Sequence, residues 1–148
     1  MVIDTSAIVA ILRGDPGSEA YEQILLKAPV IRISTATLVE LRIVVHGLRN
    51  QDADAALIRL LETAELVVEP LTETQASIAS EAHRRFGRSS GHPARLNMGD
   101  CFSYALARDL DEPLLFKGND FSKTDIELVV DQGGGRRLSE VVASYGVS

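Results

Sequence analysis

The first thirteen residues, MVIDTSAIVAILR (1–13), give the strongest indication of the fold: a short apolar run, an acid, and then a helical pattern. The strand is predicted over residues 1–4 and the helix over residues 7–13, with the hydroxyls of Thr5 and Ser6 suited to cap the helix. A strand that leads directly into a helix is the unit from which parallel sheets are built. We therefore predict an α/β domain with a mostly parallel sheet.

The rest of the chain continues this alternation of apolar runs and helical segments. Further helices are predicted over residues 18–27, 53–64, 72–86 and 99–110, and one that is capped by Ser34 or Thr35 and runs to about Arg49. Further strands are predicted over residues 30–34, 66–68, 114–116 and 126–130, and the second of these is expected to be buried. The Gly- and Arg-rich segment between the last two helices is predicted to be a loop.

The chain of 148 residues fits one compact domain, which we place over residues 1–131. The run Gln132-Gly133-Gly134-Gly135 predicts a flexible joint, and residues 136–148 a short C-terminal tail. The single cysteine, Cys101, excludes an internal disulfide and is predicted to pack as a small buried residue. No apolar stretch approaches the roughly 20 residues that cross a bilayer, so we expect a cytoplasmic protein without a membrane partner.

The charge distribution is uneven. A net charge of −6 by itself argues against a nucleic-acid partner, but residues 82–99 contain no acid at all. This segment holds four arginines, here called the basic strip: Arg84, Arg85, Arg88 and Arg95. The strip is either a phosphate-binding surface or a solvated loop with scattered arginines. Lys117, which follows a predicted strand, is a further candidate for contact with phosphate.

Three acids fall at one edge of the predicted sheet. Asp4 ends the first strand, Asp120 lies just past the strand over residues 114–116, and Asp100 lies in the first turn of a helix. Ligands of open parallel sheets bind beyond the carboxyl ends of the strands. Glu40 falls at the border of the apolar stripe of its helix, so it is either a pocket acid or an ordinary boundary glutamate.

Carboxylates that converge on one place repel one another, and this raises their pKa values unless a cation neutralises them. Mg²⁺ or Mn²⁺ prefers such oxygen ligands, and a bound ion can activate water for attack on a phosphodiester. Residue type alone does not identify a metal site, because the chain contains 21 acids and any four of them could be chosen.

The local sequences around these four acids narrow the choice of candidate site residues. The segments are VIDTSAIVAIL (2–12), VELR (39–42), LNMGDCFSYALA (96–107) and LLFKGNDFSKTDI (114–126). In this order, and over residues 1–130, the chain resembles the PIN-domain ribonucleases of the VapC type, the toxins of type II toxin–antitoxin pairs.

The resemblance implies a PIN-like three-layer α/β/α sandwich and a Mg²⁺-dependent endoribonuclease in which Mn²⁺ can substitute. It also implies a homodimer held inactive by a VapB-type antitoxin, with RNA as the substrate. Asp4 and Asp100 match the principal metal ligands of the family. Glu40 matches its central glutamate and Asp120 its fourth catalytic acid, with Asp125 as the alternative in the same motif. On this interpretation, the basic strip and Lys117 would contact the RNA backbone.

Other interpretations differ in the residues they require. A phosphoacceptor receiver domain also has an acid after its first strand and a lysine after a late strand, but it needs paired acids at the first position. Here Asp4 is followed by Thr5 and Ser6, and residues 66–70 offer no acceptor aspartate. A catalytically silent PIN scaffold would have lost one or more of the four acids. Action on DNA stays open, since a metal-dependent phosphodiesterase site does not by itself select the sugar.

Overall fold

The computed structural model describes residues 1–129, and the predicted joint and tail over residues 132–148 lie outside this part. Its centre is a sheet of four parallel strands in the order β3-β2-β1-β4. The strands are β1 (Val2–Ile3), β2 (Arg32–Ser34), β3 (Val67–Glu69) and β4 (Leu114–Leu115). The prediction of a parallel α/β sheet is confirmed.

Six α-helices connect and cover these strands. They are α1 (Thr5–Arg13), α2 (Ser18–Lys27), α3 (Thr35–Gly47), α4 (Gln51–Thr63), α5 (Glu73–Phe86) and α6 (Met98–Leu110). Short 3₁₀ turns follow at Arg88–Ser90 and Phe121–Lys123. Each helix matches a predicted one, with ends that differ by about two residues, as is usual at helix termini.

The two faces of the sheet carry separate hydrophobic clusters. Because side chains alternate along a strand, Ile3 and Leu115 project to one face, and there they pack with residues of α1 to α4. Val2 and Leu114 project to the other face, and there they pack with residues of α5 and α6. The structure is therefore the three-layer α/β/α sandwich that the family resemblance implied.

The strand order creates a crevice at one position. The chain moves outward from β1 through β2 to β3, and β4 then returns to the other side of β1. The connections that leave β1 and β4 thus diverge at their carboxyl ends, which is where open α/β sheets bind ligands. Asp4 directly follows β1 at this point.

Two strand predictions need correction. β3 is an edge strand rather than a buried one, since Val67 and Val68 are 39% and 44% exposed. The segment predicted as a strand over residues 126–130 makes only an isolated bridge, in which Leu128 pairs with Leu114, and residue 130 lies outside the described part. Within residues 1–129, no helix combines the length and apolarity needed to cross a membrane.

Candidate active site

Asp4 is both the residue after β1 and the N-cap of α1. Its backbone is extended, and its Oδ2 accepts a hydrogen bond of 3.0 Å from the amide of Ser6. The helix therefore begins at Thr5, so the prediction that Thr5 and Ser6 cap a helix starting at residue 7 is wrong. Asp4 is only 4% exposed, although its side chain is polar.

The hydroxyls of Thr5 and Ser6 connect α1 to other parts of the site. Thr5 Oγ1 donates to Glu40 Oε1 at 2.6 Å, and this bond ties the start of α1 to α3. Ser6 Oγ accepts from the amide of Lys117 at 2.9 Å, and this bond ties α1 to the segment after β4. The two hydroxyls thus hold together the elements that diverge at the crevice.

Asp100 occupies the third position of α6 and forms a reciprocal cap with Asn97. The Asp100 amide donates to Asn97 Oδ1 at 2.8 Å, and the Asn97 amide donates to Asp100 Oδ2 at 2.9 Å. This arrangement uses one carboxylate oxygen of Asp100 to fix the side chain.

The pKa of Asp100 reflects both its burial and the charges of the other three predicted acids. Burial raises the pKa of Asp100 to about 7, and the charges of Asp4, Asp120 and Glu40 push it in the same direction, while the Asn97 amide opposes them. Asp4, Glu40 and Asp120 therefore each lie within electrostatic interaction range of Asp100, at the start of α6. Asp4 is buried, Glu40 and Asp100 are partly buried, and Asp120 is exposed at the rim.

Glu40 points to the N-terminal turn of α6 rather than to open solvent. Its carboxylate lies against Gly99, where a Cβ would overlap Oε2 of Glu40. Together with the bond from Thr5, this contact places the Glu40 carboxylate beside the turn of α6 that carries Asp100. The helical wheel left two interpretations of Glu40, an acid of the site or an ordinary boundary glutamate. The contacts of its side chain with Thr5 and Gly99 favour the first.

Asp125, the alternative fourth acid, is engaged elsewhere. Its carboxylate accepts a 2.5 Å hydrogen bond from the Tyr104 hydroxyl and lies 3.5 Å from the Arg85 guanidinium. Although burial pushes the pKa of Asp125 upward, the Tyr104 hydroxyl and the charges of Arg85 and Arg108 hold it below its usual value. The structure groups Asp120, and not Asp125, with the other acids.

The predicted phosphate-binding residues differ in their surroundings. Lys117 Nζ is paired with Asp15 at 2.7 Å, Arg84 is paired with Glu81, and Arg85 lies over the Phe86 ring as well as beside Asp125. The exposed side chains of Arg88 and Arg95 form no ion pair or hydrogen bond with another residue in the described part of the chain. These two arginines are the members of the basic strip whose charge is unpaired there.

Sequence reasoning missed two hydroxyl residues beneath the site, Thr37 and Ser103. Ser103 Oγ donates to Asp4 Oδ1 at 2.5 Å, and Thr37 Oγ1 lies 3.3 Å from Ser103 Oγ. A signal was present, because Thr37 precedes Glu40 by three residues and Ser103 follows Asp100 by three, a spacing that puts each pair on one helix face.

The remaining candidate for reactivity is Cys101. Its side chain is 2% exposed, and burial raises the pKa of its thiol to about 11, with a further contribution from Asp100. A thiol with such a pKa is protonated at neutral pH and is therefore a poor nucleophile. The prediction that Cys101 packs as a small buried residue is confirmed.

The donor set of the acidic site consists of carboxylate oxygens, the ligands that Mg²⁺ and Mn²⁺ prefer. A cation there would offset the repulsion that helps to raise the pKa of Asp100. In residues 1–129, however, no three Asp, Glu, His or Cys side chains already stand close enough together to form a complete metal cluster. The chemistry of the residues thus fits a hard divalent ion, while the described side chains are not arranged as a closed cage.

Comparison with known proteins identifies the family. The PIN domain model matches residues 1–127. Ribonuclease VapC28 of Mycobacterium tuberculosis is 52% identical over 132 residues, which is 89% of this chain and 99% of that protein. The chain therefore belongs to the PIN-domain family. Within this family it stands among the VapC ribonucleases, so the resemblance seen in the four sequence segments is confirmed.

Two solved structures share the fold at low sequence identity. VapC20 of M. tuberculosis, described as a toxin that cleaves the sarcin-ricin loop, has a TM-score of 0.64 and 24% identity and covers 84% of this chain and 95% of its own. VapBC2 of Rickettsia felis, bound to a DNA fragment from its promoter, has a TM-score of 0.64 and 18% identity, with coverages of 82% and 90%. Both support the PIN-like architecture.

Proposed function

We propose that this VapC-type ribonuclease is a divalent-metal-dependent endoribonuclease and the toxin of a type II toxin–antitoxin pair. The observation that carries the proposal is the gathering of Asp4, Glu40, Asp100 and Asp120 at the crevice between β1 and β4. The near full-length similarity to ribonuclease VapC28 supplies the reaction class.

In this proposal, Asp4 and Asp100 hold Mg²⁺, and Mn²⁺ can replace it. The bound ion would activate a water molecule and neutralise charge that develops on a phosphoryl oxygen. Glu40 keeps Oε1 bonded to Thr5 and presents Oε2 at the start of α6, where it can accept a proton from the attacking water. Asp120, exposed at the rim, completes the negative charge that retains the cation.

The RNA is proposed to reach this pocket along the basic strip. Arg88 and Arg95 are the strongest candidates for phosphate contact, because their charges have no acidic partner in the described part of the chain. Arg84 and Lys117 would have to give up Glu81 and Asp15 to do the same. Contacts of this kind provide affinity and register rather than sequence selection.

The proposed partners are a second copy of the chain and a VapB-type antitoxin, as the family resemblance implies. Exposed apolar side chains near the site support protein contacts: Val39 and Ile43 on α3 are 57% and 66% exposed, and Met98 at the start of α6 is 71% exposed. Large exposed apolar side chains that lie close together are typical of interaction surfaces.

Metal-dependent cleavage by the purified protein tests the enzymatic part. Protein freed of any antitoxin would be incubated with total cellular RNA in Mg²⁺, in Mn²⁺ and in EDTA, beside Asp4→Asn and Asp100→Asn. Asparagine keeps the size and an acceptor oxygen, so the caps at Ser6 and Asn97 can persist while the charge is lost. Glu62→Gln, an exposed acid of α4, is the matched control.

We expect discrete fragments that require the metal, Asp4 and Asp100, and that are unchanged by Glu62→Gln. Full activity of both aspartate variants would contradict the site assignment. Absence of cleavage by folded wild-type protein would favour a silent PIN scaffold, and equal cleavage of single-stranded DNA would contradict the choice of RNA. Growth arrest on expression without the antitoxin, relieved by Asp100→Asn, tests the toxin role.

A further inference from the structure

A pair of buried hydroxyls lies beneath the acidic site, between α3 and α6. Thr37 and Ser103 are both 0% exposed, and their Oγ atoms are 3.3 Å apart. Ser103 in turn donates to Asp4 Oδ1 at 2.5 Å. The three side chains therefore form a continuous hydrogen-bonded path that ends on a carboxylate of the site.

The direction of these bonds follows from the number of protons. Ser103 Oγ donates its single proton to Asp4 Oδ1, so this hydroxyl has no proton left for a second bond. Ser103 Oγ must then accept from Thr37, which makes Thr37 the donor of the second bond. Each bond in such a path polarises the next, and this strengthens the donation to Asp4 in the dry interior.

The residues of this path are also connected to Glu40 and Asp100 through the helices that carry them. Thr37 and Glu40 lie three residues apart on α3, and Glu40 is bonded to Thr5, the neighbour of Asp4. Ser103 and Asp100 lie three residues apart on α6. The relative placement of Asp4, Glu40 and Asp100 is thus tied by hydrogen bonds that run between α1, α3 and α6, and not only by hydrophobic packing.

If Thr37 and Ser103 served the packing of the helices alone, their hydroxyls would be expected to have other partners. Hydroxyls within helices commonly bond to a backbone carbonyl one turn earlier, as Ser80 does with Ala76. Thr37 and Ser103 instead bond to each other and to Asp4. Because buried hydroxyls carry a desolvation penalty, alanine and valine would serve packing alone at least as well. The contribution of the Thr37 and Ser103 hydroxyls is therefore to orient the Asp4 carboxylate.

We propose that Ser103 and Thr37 are positioning residues that fix the Asp4 carboxylate for divalent-cation binding. The inference rests on the proposed function, since Asp4 is there assigned as a metal ligand. A hydrogen bond to a ligand side chain restricts its rotation, and loss of such a bond typically weakens metal affinity by roughly 10- to 100-fold.

Direct measurement of Mn²⁺ binding, without RNA and without turnover, tests this role. Electron paramagnetic resonance of the free ion would give the Mn²⁺ affinity of wild type, Ser103→Ala, Thr37→Val and Thr37→Ser. Ser80→Ala is the matched control, because it also removes a helix hydroxyl but one bonded only to its own backbone. Urea unfolding of the metal-free proteins would report stability separately.

We expect Ser103→Ala to weaken Mn²⁺ affinity by about 10- to 100-fold. Thr37→Val should weaken it less, Thr37→Ser should restore it, and Ser80→Ala should leave it unchanged. Mn²⁺ affinity of folded Ser103→Ala within twofold of wild type would overturn the inference while leaving the proposed function intact. If Ser103→Ala does not fold, equal affinities of Thr37→Val and Thr37→Ser would overturn it. Wild-type protein that binds no Mn²⁺ would overturn the metal-dependent function as well.

Discussion

The carboxylate of Glu40 occupies the space that a side chain at Gly99 would fill. Gly99 immediately precedes Asp100, so the missing Cβ allows an acid from α3 to approach the turn of α6 that carries the adjacent acid. The glycine has an ordinary helical position, and its importance lies in this close approach rather than in an unusual backbone conformation.

Gly99→Ala should therefore separate activity from stability. The new Cβ displaces Glu40 and breaks its bond to Thr5, and misplacement of a reacting group by about 1 Å can lower the rate by about 100-fold. Helix propensity favours alanine over glycine by about 1 kcal/mol, which offsets much of the steric penalty. We expect RNA cleavage to fall by roughly 10- to 100-fold with little change in urea stability.

Gly47→Ala is the control for this prediction, because a Cβ at Gly47, at the end of α3, meets no atom within 4 Å. It should retain wild-type cleavage. Unchanged cleavage by Gly99→Ala would mean that Glu40 does not act from the observed position.

Asp120 and Asp125 should differ in what their loss affects. The charge of Asp120 helps to raise the pKa of Asp100, whereas Asp125 is hydrogen-bonded to Tyr104 and paired with Arg85. We expect Asp120→Asn to reduce cleavage by at least about tenfold, within the range for loss of a group acting in proton transfer or charge stabilisation. Asp125→Asn should keep cleavage within a few-fold of wild type and instead lower stability by about 1–2 kcal/mol, as for loss of a charged hydrogen bond at a partly exposed site.

The stability effect of Asp125→Asn should also depend on pH. The pKa of Asp125 is lowered in the folded protein, so its ionised form contributes stability that is present above the ordinary value of 3.8 and is lost as the pH falls through the folded-state pKa. The difference in unfolding free energy between wild type and variant should be largest near pH 7 and smallest near pH 3. A difference that stays constant over this range would contradict an ionic role for Asp125.

Members of the basic strip should contribute unequally to RNA binding. Each phosphate contact adds about 0.7 to the slope of log affinity against log salt concentration for a single strand. In the Asp100→Asn background, which we expect to prevent turnover, Arg88→Gln should lower the slope by about this amount. Arg84→Gln should change it less, because Glu81 already pairs with that guanidinium. Fluorescence anisotropy at several salt concentrations measures both, and equal effects would contradict the distinction.

Features that depend on neighbours a few residues apart could be predicted from the amino-acid sequence alone. Apolar periodicity located the six helices and the four strands, and the four short segments around Asp4, Glu40, Asp100 and Asp120 indicated the family. Both kinds of signal are local, since a helix repeats every 3.6 residues and a motif is a short string.

Features that depend on residues far apart in the chain became visible only in the folded structure. Burial of a strand depends on its neighbours in the sheet, which is why β3 proved to be an exposed edge. Asp4 meets Ser103, 99 residues away, and Tyr104 meets Asp125, which leaves Asp120 beside the other acids. Such contacts arise only when β4 returns beside β1 and α6 packs over them, because no local pattern specifies which side chains then face each other.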